Sequence, residues 1–570
     1  MPNESSSIVY TNKAKCRDCN RCVRHCPVKA IKIEKGQAQV IAERCISCGT
    51  CVVECPQKAK TYRKDIEKVQ NFITRGEHIV ISVAPSFAGY YSEWERSRLP
   101  SALRLIGFSH VGETAVGAYH TAALSKKIIE KEPGKSHLLT ACPAFVNYIE
   151  KYEPSLVKNL VQIDSPMIIH AKLLRKQYKS KSKIVFVGPC IAKKGEAIRI
   201  ENEHLIDAVL TFDELDKLFV WKKVDFAQCE ESSFDEVPGA FARNFPLEGG
   251  LLQTANLDTN LMSAKILAIS GYDEINEIAE VIKNSTDTYI VEPLFCTSGC
   301  INGPGIEHKK SRFESKSSVI KNTKKQKSLK EVVPLEIKDF KANYTKDLKI
   351  KFKKYSEAQI TETLAKFGKL SVNDELNCKA CGYNSCRDKA IAVLNGIAEY
   401  EMCVPFMRQL AEAKNNVLID TSPNGIIVLN ENLEIESMNQ SFKKMFSCSD
   451  VILKMKISYL IDPDPFEKIA AGTVNEIKKI IHYPNYNLIC HQICYALTIE
   501  KKYIGIFVDV TDLQTNQIKL NDIKTETITQ AQELIEHQIN MAQELARFLG
   551  ENTAKGEMLM NSLIDAIKKE

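Results

Sequence analysis

Residues 16–27 read CRDCNRCVRHCP and residues 45–56 read CISCGTCVVECP. Both stretches have the spacing C-x2-C-x2-C-x3-C followed by proline. Three thiolates on one tight loop can each face one corner of a 4Fe-4S cube, while the fourth ligand comes from the other repeat. The spacing therefore predicts two clusters within residues 1–75. The predicted ligands are Cys16, Cys19, Cys22 and Cys55 for one cluster and Cys45, Cys48, Cys51 and Cys26 for the other.

This double motif is the pattern of bacterial two-cluster ferredoxins. Zinc is the alternative metal for closely spaced thiolates. The proline-terminated repeats, however, do not divide naturally into tetrahedral zinc sites. A ferredoxin-like module is therefore the expected fold of this part of the chain.

The length and composition of the chain predict a multidomain globular protein. It has 570 residues, of which 44% are hydrophobic and 26% charged, and about four domains are expected. We found no run of 18 apolar residues and no basic-then-apolar start, so neither a membrane span nor a secretory signal is expected. In the reducing cytoplasm, the 20 cysteines are expected to bind metal rather than to form disulfides.

Positive charge is concentrated in residues 308–330, where nine Lys or Arg stand against one acid, Glu314. This local excess is larger than the net charge of the whole chain, +6. The segment lacks the interleaved aromatic residues of a nucleic-acid surface. Residues 308–345 are therefore expected to form a solvated basic linker rather than a nucleic-acid site.

A further set of cysteines lies in CKACGYNSC at residues 378–386, with Cys403 following after a helix-like stretch. The pattern resembles the small four-cysteine domain of several anaerobic iron-sulfur proteins. That resemblance implies a single 4Fe-4S cluster in residues 346–412, and zinc remains the alternative. The ligands would be Cys378, Cys381, Cys386 and Cys403.

Four scattered cysteines lie between these regions: Cys142 in LLTACPAF, Cys190 in VGPCIAKKGE, and Cys296 and Cys300 in EPLFCTSGCINGPG. Taken singly, each is typical of an inert buried thiol. Together with NYIEKYEP and SPM, these segments resemble, in order, the three signature motifs of FeFe hydrogenases. The resemblance implies an α/β domain over residues 76–307 that binds an H-cluster. In that cofactor the four thiolates hold a 4Fe-4S cube, and Cys300 also bridges to a diiron unit with CO, CN and a bridging dithiolate.

The same resemblance implies roles for residues beside the cofactor. Lys193 would donate a hydrogen bond to one cyanide of the diiron unit, with an ordinary surface lysine as the alternative. Ala84, Pro85 and Ser86, in VAPSF, would cradle the other cyanide, Ser86 through its hydroxyl. In such a site the cofactor supplies the metal chemistry, while the protein supplies attachment, hydrogen bonds and exclusion of water.

The chain departs from the family pattern where protons would move. Ala141 stands where catalytic members carry a cysteine that relays protons, and its methyl group can neither donate nor accept one. Gly188 and Leu294 replace two family methionines, and Leu124 lies near the position of a relay glutamate. Loss of a positioned proton-transfer group typically slows a reaction by about a hundred- to ten-thousand-fold. The resemblance therefore implies a slow reaction with dihydrogen.

Three other residues are candidates for a different proton path. They are Glu113, Tyr119 and His120, although each is also typical of an ordinary structural or surface group. Four cysteines remain outside the predicted ligand sets, and these we expect to be structural thiols. They are Cys229, Cys448, Cys490 and Cys494.

The C-terminal part changes from helical periodicity to short apolar runs after residue 412. Residues 413–515 resemble a PAS domain, and because no residue set would fix haem or flavin, transmission without a cofactor is expected. Residues 516–570 are expected to form a helical dimerisation segment with a coiled-coil seam, or else a helix docked on the PAS domain. The seam residues are Ile528, Ala531, Ile535, Gln538, Ala542, Leu545 and Leu549.

Three functions are compatible with these features. The first is a low-activity FeFe hydrogenase that converts dihydrogen to protons and electrons and senses hydrogen or redox state, signalling as a homodimer to an unknown partner. The second is a metabolic hydrogenase that exchanges electrons with a ferredoxin-type carrier. The third is a non-catalytic electron-transfer or assembly protein without the diiron unit, against which Lys193 argues. The expected cofactors are the H-cluster and three accessory 4Fe-4S clusters, in a multidomain α/β and α+β fold with no membrane or nucleic-acid partner.

Overall fold

Two short antiparallel strand pairs hold the N-terminal cysteine repeats. The computed structural model describes residues 7–257, 265–307, 310–329, 334–497, 501–511 and, of 532–541, all but 534, 537 and 540. In this N-terminal module β1 pairs with β4 and β2 with β3, and one short helix begins inside each repeat. The elements are β1 (Val9–Thr11), α1 (Arg21–His25), β2 (Ile31–Glu34), β3 (Gln37–Val40), α2 (Thr50–Val53) and β4 (Lys60–Tyr62).

The central domain places helices around two parallel sheets. Its first half comprises α3 (Ile66–Thr74), β5 (Ile79–Val83), α4 (Phe87–Tyr90), α5 (Glu93–Ile106), β6 (His110–Glu113), α6 (Ala115–Lys131), β7 (His137–Leu138) and α7 (Pro143–Tyr152). Its second half comprises α8 (Pro166–Tyr178), β8 (Lys183–Gly188), α9 (Ala192–Glu196), β9 (Ala208–Thr211), α10 (Phe212–Lys222), α11 (Gly250–Thr254), β10 (Ile266–Ser270), α12 (Tyr272–Asn284) and β11 (Ile290–Leu294).

The two sheets of the central domain have the orders β6-β5-β8-β9 and β10-β11-β7, with every pair parallel. All five residues of β5 are buried, since helices cover both faces of the first sheet. In such sheets, functional residues gather at the carboxyl ends of the strands. The loops that follow β5, β7, β8 and β11 carry the predicted site residues.

The expected basic linker contains a packed helix, α13 (Arg312–Lys325), and the prediction of a solvated segment is wrong for these residues. A capping box between Ser311 and Glu314 starts the helix. Ser315, Val319 and Asn322 lie on one buried face, and Val319 belongs to the core around β5. The prediction failed because it counted charges and not the three- and four-residue spacing of the buried face.

The four-cysteine module follows, with α14 (Glu357–Lys366) packed against α15 (Cys386–Leu394). It belongs to the same compact unit as the N-terminal module and the central domain, residues 1–404. Residues 405–570 form a second unit. No described helix is both long enough and apolar enough to span a membrane.

The second unit contains an antiparallel sheet of the order β13-β12-β16-β15-β14. Aromatic residues fill its core, with Phe442, Phe446 and Phe507 in mutual contact. Its elements are α16 (Val404–Thr421), β12 (Gly425–Leu429), β13 (Ile435–Met438), α17 (Gln440–Met445), α18 (Asp464–Ala470), β14 (Glu476–Tyr483), β15 (Leu488–Leu497) and β16 (Lys502–Asp509).

The predicted coiled-coil seam lies mostly outside the described residues. This applies to Ile528, Ala531, Ala542, Leu545 and Leu549. The two described members are Ile535 and Gln538, both in helical positions. Ile535 packs against the sheet residues Ile493, Ile504 and Ile506, as expected of a helix docked on its own domain.

Candidate active site and iron-sulfur centres

Cys142, Cys190, Cys296 and Cys300 follow the carboxyl ends of three parallel strands. Cys142 comes after β7 and is the N-terminal cap residue of α7. Cys190 follows β8 of the other sheet. Cys296 and Cys300 follow β11. The chain topology therefore brings thiols from distant parts of the sequence to one region between the two sheets.

The four thiols interact electrostatically. Burial and, next, the neighbouring Cys142 thiolate raise the pKa of Cys190 to about 12. Burial and the charges of Cys190, Cys300 and Cys142 raise the pKa of Cys296 well above its usual range. Thiolates crowded in this way need a positive partner, and metal binding releases their protons. The set has the donor chemistry expected for an iron-sulfur cube.

Lys193 is buried beside these thiols. Its ammonium donates hydrogen bonds to Glu196 Oε2 at 2.7 Å, Ser165 Oγ at 2.8 Å and the Ala141 carbonyl at 3.4 Å. Its charge lowers the pKa of Cys142, against the larger effect of burial. These contacts exclude an ordinary surface lysine and place a fixed cation at the thiol cluster.

Ser86 has a buried hydroxyl at the end of β5. Only 1% of the residue is exposed, and among the described residues Oγ has no hydrogen-bond partner. The neighbouring Ala84 is anchored by its amide, which donates to the Val187 carbonyl at 2.8 Å. A buried polar atom without a partner is costly unless a ligand satisfies it. The thiols, Lys193 and Ser86 together fit a cofactor that offers both iron and hydrogen-bond acceptors.

Family models match four segments of the chain. The model of the iron only hydrogenase large subunit, C-terminal domain, matches residues 77–304. The chain contains an iron-only hydrogenase domain. Models of a 4Fe-4S dicluster domain, an Fe-S cluster and a PAS domain match residues 8–69, 374–405 and 413–479. These matches confirm the predicted resemblance to FeFe hydrogenases and the predicted fold class.

Relatives of the hydrogenase domain carry two kinds of name. Iron hydrogenase 1 of Clostridium pasteurianum is 28% identical over 383 residues, which cover 54% of this chain and 66% of that protein. The periplasmic [Fe] hydrogenase large subunit of Nitratidesulfovibrio vulgaris is 25% identical over 361 residues, 52% of this chain and 86% of the subunit. The cytosolic Fe-S cluster assembly factor NAR1 of Vanderwaltozyma polyspora is 29% identical over 169 residues, 28% of this chain and 32% of the factor. The chain thus spans just under two thirds of the Clostridium protein and about a third of the NAR1 protein.

The hydrogenase domain lacks room for a methionine at Gly188. A Cβ atom there would lie 2.7 Å from Phe186 Cζ and 3.1 Å from Ala84 Cβ. Ala141 is partly buried, and its side chain packs beside the apolar core that contains Leu139. At Gly188 and Ala141, two positions where the chain departs from the family pattern, the surroundings are therefore apolar and closely packed.

The three residues considered for another proton path have defined environments in the hydrogenase domain. Glu113 is buried and forms a forked ion pair with Arg243, with Nη2 and Oε1 2.6 Å apart. Burial and, next, the neighbouring His170 lower the pKa of His120 to about 4. At neutral pH His120 is therefore uncharged. Tyr119 contacts the ring of His120 and lies against Gly239.

In the dicluster domain, the cysteines interact in the two predicted groups. Burial raises the pKa of Cys22 to about 11, opposed by Lys60 and assisted by Cys19, Cys16 and Cys55. Burial and Cys26 raise the pKa of Cys48 to about 12, assisted by Cys45. Thiols therefore interact across the repeats, Cys22 with Cys55 and Cys48 with Cys26, and the ligand sets stay a prediction.

The second of these groups faces the hydrogenase domain. Gly49 lies against it so closely that a Cβ atom would be 2.5 Å from Pro304 Cγ. Cys26, Cys48 and Cys296 line one cavity of about 590 Å³. The cluster predicted on Cys26, Cys45, Cys48 and Cys51 is therefore the one adjacent to the hydrogenase thiols.

The thiols of the four-cysteine module also interact with one another. Burial raises the pKa of Cys381, and Cys403 and Cys378 raise it further. Cys386 begins α15, and Cys403 immediately precedes α16. Cys378 is exposed, so one side of this site faces the surface.

Buried lysines beside the thiols are the residues that sequence reasoning missed. Lys60 is 4% exposed and donates to Thr11 Oγ1 at 2.5 Å and to the Ala38 carbonyl at 3.2 Å. Its charge lowers the pKa of thiols in both dicluster groups. Lys389 is 1% exposed and lies beside three of the four thiols of the four-cysteine module. Lysine is normally a surface residue, so the sequence alone carried no signal for either position.

Proposed function

We propose that this protein is a cytoplasmic FeFe hydrogenase of low activity that senses dihydrogen or redox state. The observation that carries the proposal is the group of four interacting thiols with the fixed ammonium of Lys193 beside them. The partnerless hydroxyl of Ser86, at the end of the strand that pairs with the one leading to Cys190, adds to it. Cubane ligation alone would need only the thiols. The lysine and the serine add hydrogen-bond donors suited to cyanide ligands, which supports binding of a diiron unit.

The proposed roles follow from these positions. Cys142, Cys190, Cys296 and Cys300 would hold the cube, and Cys300 would also bridge to the diiron unit. Lys193 would donate to one cyanide in place of its 3.4 Å contact with the Ala141 carbonyl, and its ion pair with Glu196 would orient it. Ala84, Pro85 and Ser86 would cradle the other. Heterolytic cleavage of dihydrogen is the chemistry that the cofactor supplies when bound.

Proton delivery is the step in which this chain differs from catalytic members of the family. Ala141 offers no group that can carry a proton. Glu113 is held by Arg243, which favours its structural role. Electrons would leave singly through three accessory 4Fe-4S clusters on the remaining predicted cysteine sets. Slow exchange suits a sensor because the occupancy of the site, not the flux through it, carries the signal.

The PAS domain and the C-terminal segment would carry the output. We propose that the protein is a homodimer and that reduction changes its contacts with a signalling protein. A ferredoxin-type carrier would exchange electrons with the accessory clusters. We propose no nucleic-acid or membrane partner.

Hydrogen oxidation by the native protein and by Ala141→Cys tests the proposal. With an artificial one-electron dye as acceptor, the cysteine variant should turn over about a hundred- to ten-thousand-fold faster, since a thiol restores a proton carrier. Ala141→Val adds bulk without such a group and should bring no gain. A native rate equal to that of the cysteine variant would instead favour the metabolic hydrogenase.

A second candidate is an iron-sulfur assembly or electron-transfer protein without the diiron unit. The similarity to proteins named as assembly factors favours it. It requires only the cubane clusters, and it leaves the buried Ser86 hydroxyl without a function. Protein that cannot acquire carbonyl and cyanide ligands would support this candidate.

A further inference from the structure

The four-cysteine module packs directly on helix α1 of the dicluster domain. Arg24 Nη1 donates to the Ala380 carbonyl at 3.3 Å. A Cβ atom on Gly382 would lie 2.9 Å from the Arg24 amide nitrogen and 3.1 Å from the Val23 carbonyl carbon. Backbone therefore meets backbone at this contact, and no side chain larger than hydrogen fits at Gly382.

A second contact extends the interface along β2 and the following turn. The Ile33 amide donates to the Ile397 carbonyl at 3.1 Å. Glu399 accepts from the Lys35 amide at 2.5 Å and from the Gly36 amide at 3.4 Å. Main-chain bonds of this kind fix the module in one orientation.

The interface joins two cysteine sets through a common core. Cys22, Cys26 and Tyr383 belong to one buried cluster, and Cys381 packs against it. The Lys29 ammonium is close to both Cys26 and Cys381, and it donates to the Val23 carbonyl at 3.1 Å and to the Arg24 carbonyl at 3.2 Å. The Tyr383 side chain is close to the same two thiols. The predicted ligand of the four-cysteine module thus lies next to Cys26.

Cys26 belongs to the ligand set that also faces the hydrogenase thiols. Asn384, which follows Tyr383, lines the same cavity as Cys26, Cys48 and Cys296. The set of Cys45, Cys48, Cys51 and Cys26 therefore borders both the catalytic site and the four-cysteine module.

We propose that the dicluster domain is a branch point: the cluster on Cys26, Cys45, Cys48 and Cys51 exchanges electrons directly with the four-cysteine cluster as well as with the catalytic cube. The cluster on Cys16, Cys19, Cys22 and Cys55 is not required for that exchange. The proposal rests on the cluster assignments of the proposed function.

The electron count is simple along this branch. Each step oxidises one cubane from the 1+ to the 2+ state and reduces its neighbour from 2+ to 1+. The two electrons of one dihydrogen must therefore leave in two steps, and its two protons go to solvent. A one-electron carrier would accept the electrons at the surface. On the branch through the four-cysteine cluster, the exposed Cys378 lies at the surface, where such a carrier would bind.

Electron paramagnetic resonance of the full chain, reduced with dithionite and without dihydrogen, tests the branch. The signal of the four-cysteine cluster, assigned by its loss in Cys386→Ser, should be split by its reduced neighbour. The splitting should persist in Cys19→Ser, which removes a ligand of the other cluster. An unsplit native signal, or loss of splitting in Cys19→Ser, would overturn the proposal.

Two glycine variants provide a test that leaves every ligand in place. Gly382→Ala should abolish the splitting because the added methyl group meets the backbone of α1. Gly396→Ala is the matched control, since Gly396 also has a positive φ, +67° against +92°, but nothing within 4 Å of its Cβ position. Native splitting in Gly382→Ala would also overturn the branch. Failure to bind the diiron unit would leave these spectra unchanged, so the two proposals fail separately.

Discussion

Replacing Ser86 with alanine should change stability in opposite directions with and without the diiron unit. Without it, the buried hydroxyl has no hydrogen-bond partner among the described residues, and it makes no capping bond to α4. An unsatisfied buried polar atom costs about 1 to 3 kcal/mol. Ser86→Ala should therefore stabilise this form by that amount. At about 2 to 4 °C per kcal/mol for a domain of this size, the melting temperature should rise by roughly 2 to 12 °C.

With the diiron unit bound, the same substitution removes a hydrogen bond to a charged ligand. Such bonds contribute about 1.5 to 3 kcal/mol, so the variant should now be less stable than the native protein. Scanning calorimetry of both forms measures the change, and one cyanide band should shift in the infrared spectrum of the loaded form.

Ser82→Ala is the matched control for this experiment. Ser82 is equally buried, but its hydroxyl contacts Thr114 Oγ1 at 2.6 Å and His170 Nδ1 at 2.8 Å. Its removal leaves partners unsatisfied and should cost about 1 to 3 kcal/mol in both forms. If Ser86→Ala destabilises the unloaded protein as Ser82→Ala does, the hydroxyl has a protein partner and its proposed role is wrong.

Three other perturbations have defined outcomes. Lys60→Met should lower the reduction potentials of the dicluster domain in a redox titration, because a buried positive charge favours the reduced clusters. Each loss of about 1.4 kcal/mol in this electrostatic stabilisation lowers a one-electron potential by ~59 mV. Lys194→Met should lower the free energy of unfolding, measured with denaturant, by about 3 to 5 kcal/mol, because the fully buried Glu214 loses its ion-pair partner at 2.8 Å. Adding Glu214→Gln should recover part of the loss. Burial lowers the pKa of His120 to about 4, so the unfolded chain binds this proton first as pH falls. Stability should therefore decrease from pH 6.5 towards pH 4, and His120→Gln should reduce that decrease.

The spacing predicts the ligand sets of the dicluster domain because three of the four cysteines in each set lie within one repeat. Within one repeat, the loop length limits which thiols can face one cube. The interactions of Cys22 with Cys55 and of Cys48 with Cys26 follow the predicted crossover. The chain connectivity therefore allows few other groupings of these cysteines.

The hydrogenase thiols could not be grouped by spacing. Cys142 and Cys300 are joined only through the order of strands in two sheets, which a local pattern does not encode. Their grouping was predicted from the resemblance to FeFe hydrogenases. The structure adds the physical basis, since all four follow carboxyl ends of parallel strands.

The burial of charged residues is the feature that the sequence predicts least well. Lys60, Lys194 and Lys389 are almost fully buried, although lysine is normally exposed. The helix at Arg312–Lys325 was missed for a related reason, because its charges obscured Val319 on the packed face. In each case the decisive contact is tertiary. Among the leftover cysteines, Cys229, Cys490 and Cys494 are buried, as expected of structural thiols.

Infrared spectroscopy of the protein, produced together with the machinery that builds the diiron unit, tests the central claim most directly. If the thiols of Cys142, Cys190, Cys296 and Cys300 hold a cube that carries this unit, bands of both carbonyl and cyanide ligands should appear, and Cys300→Ala should abolish them. A fully iron-loaded protein without these bands would contradict the account and leave a protein of cubane clusters only.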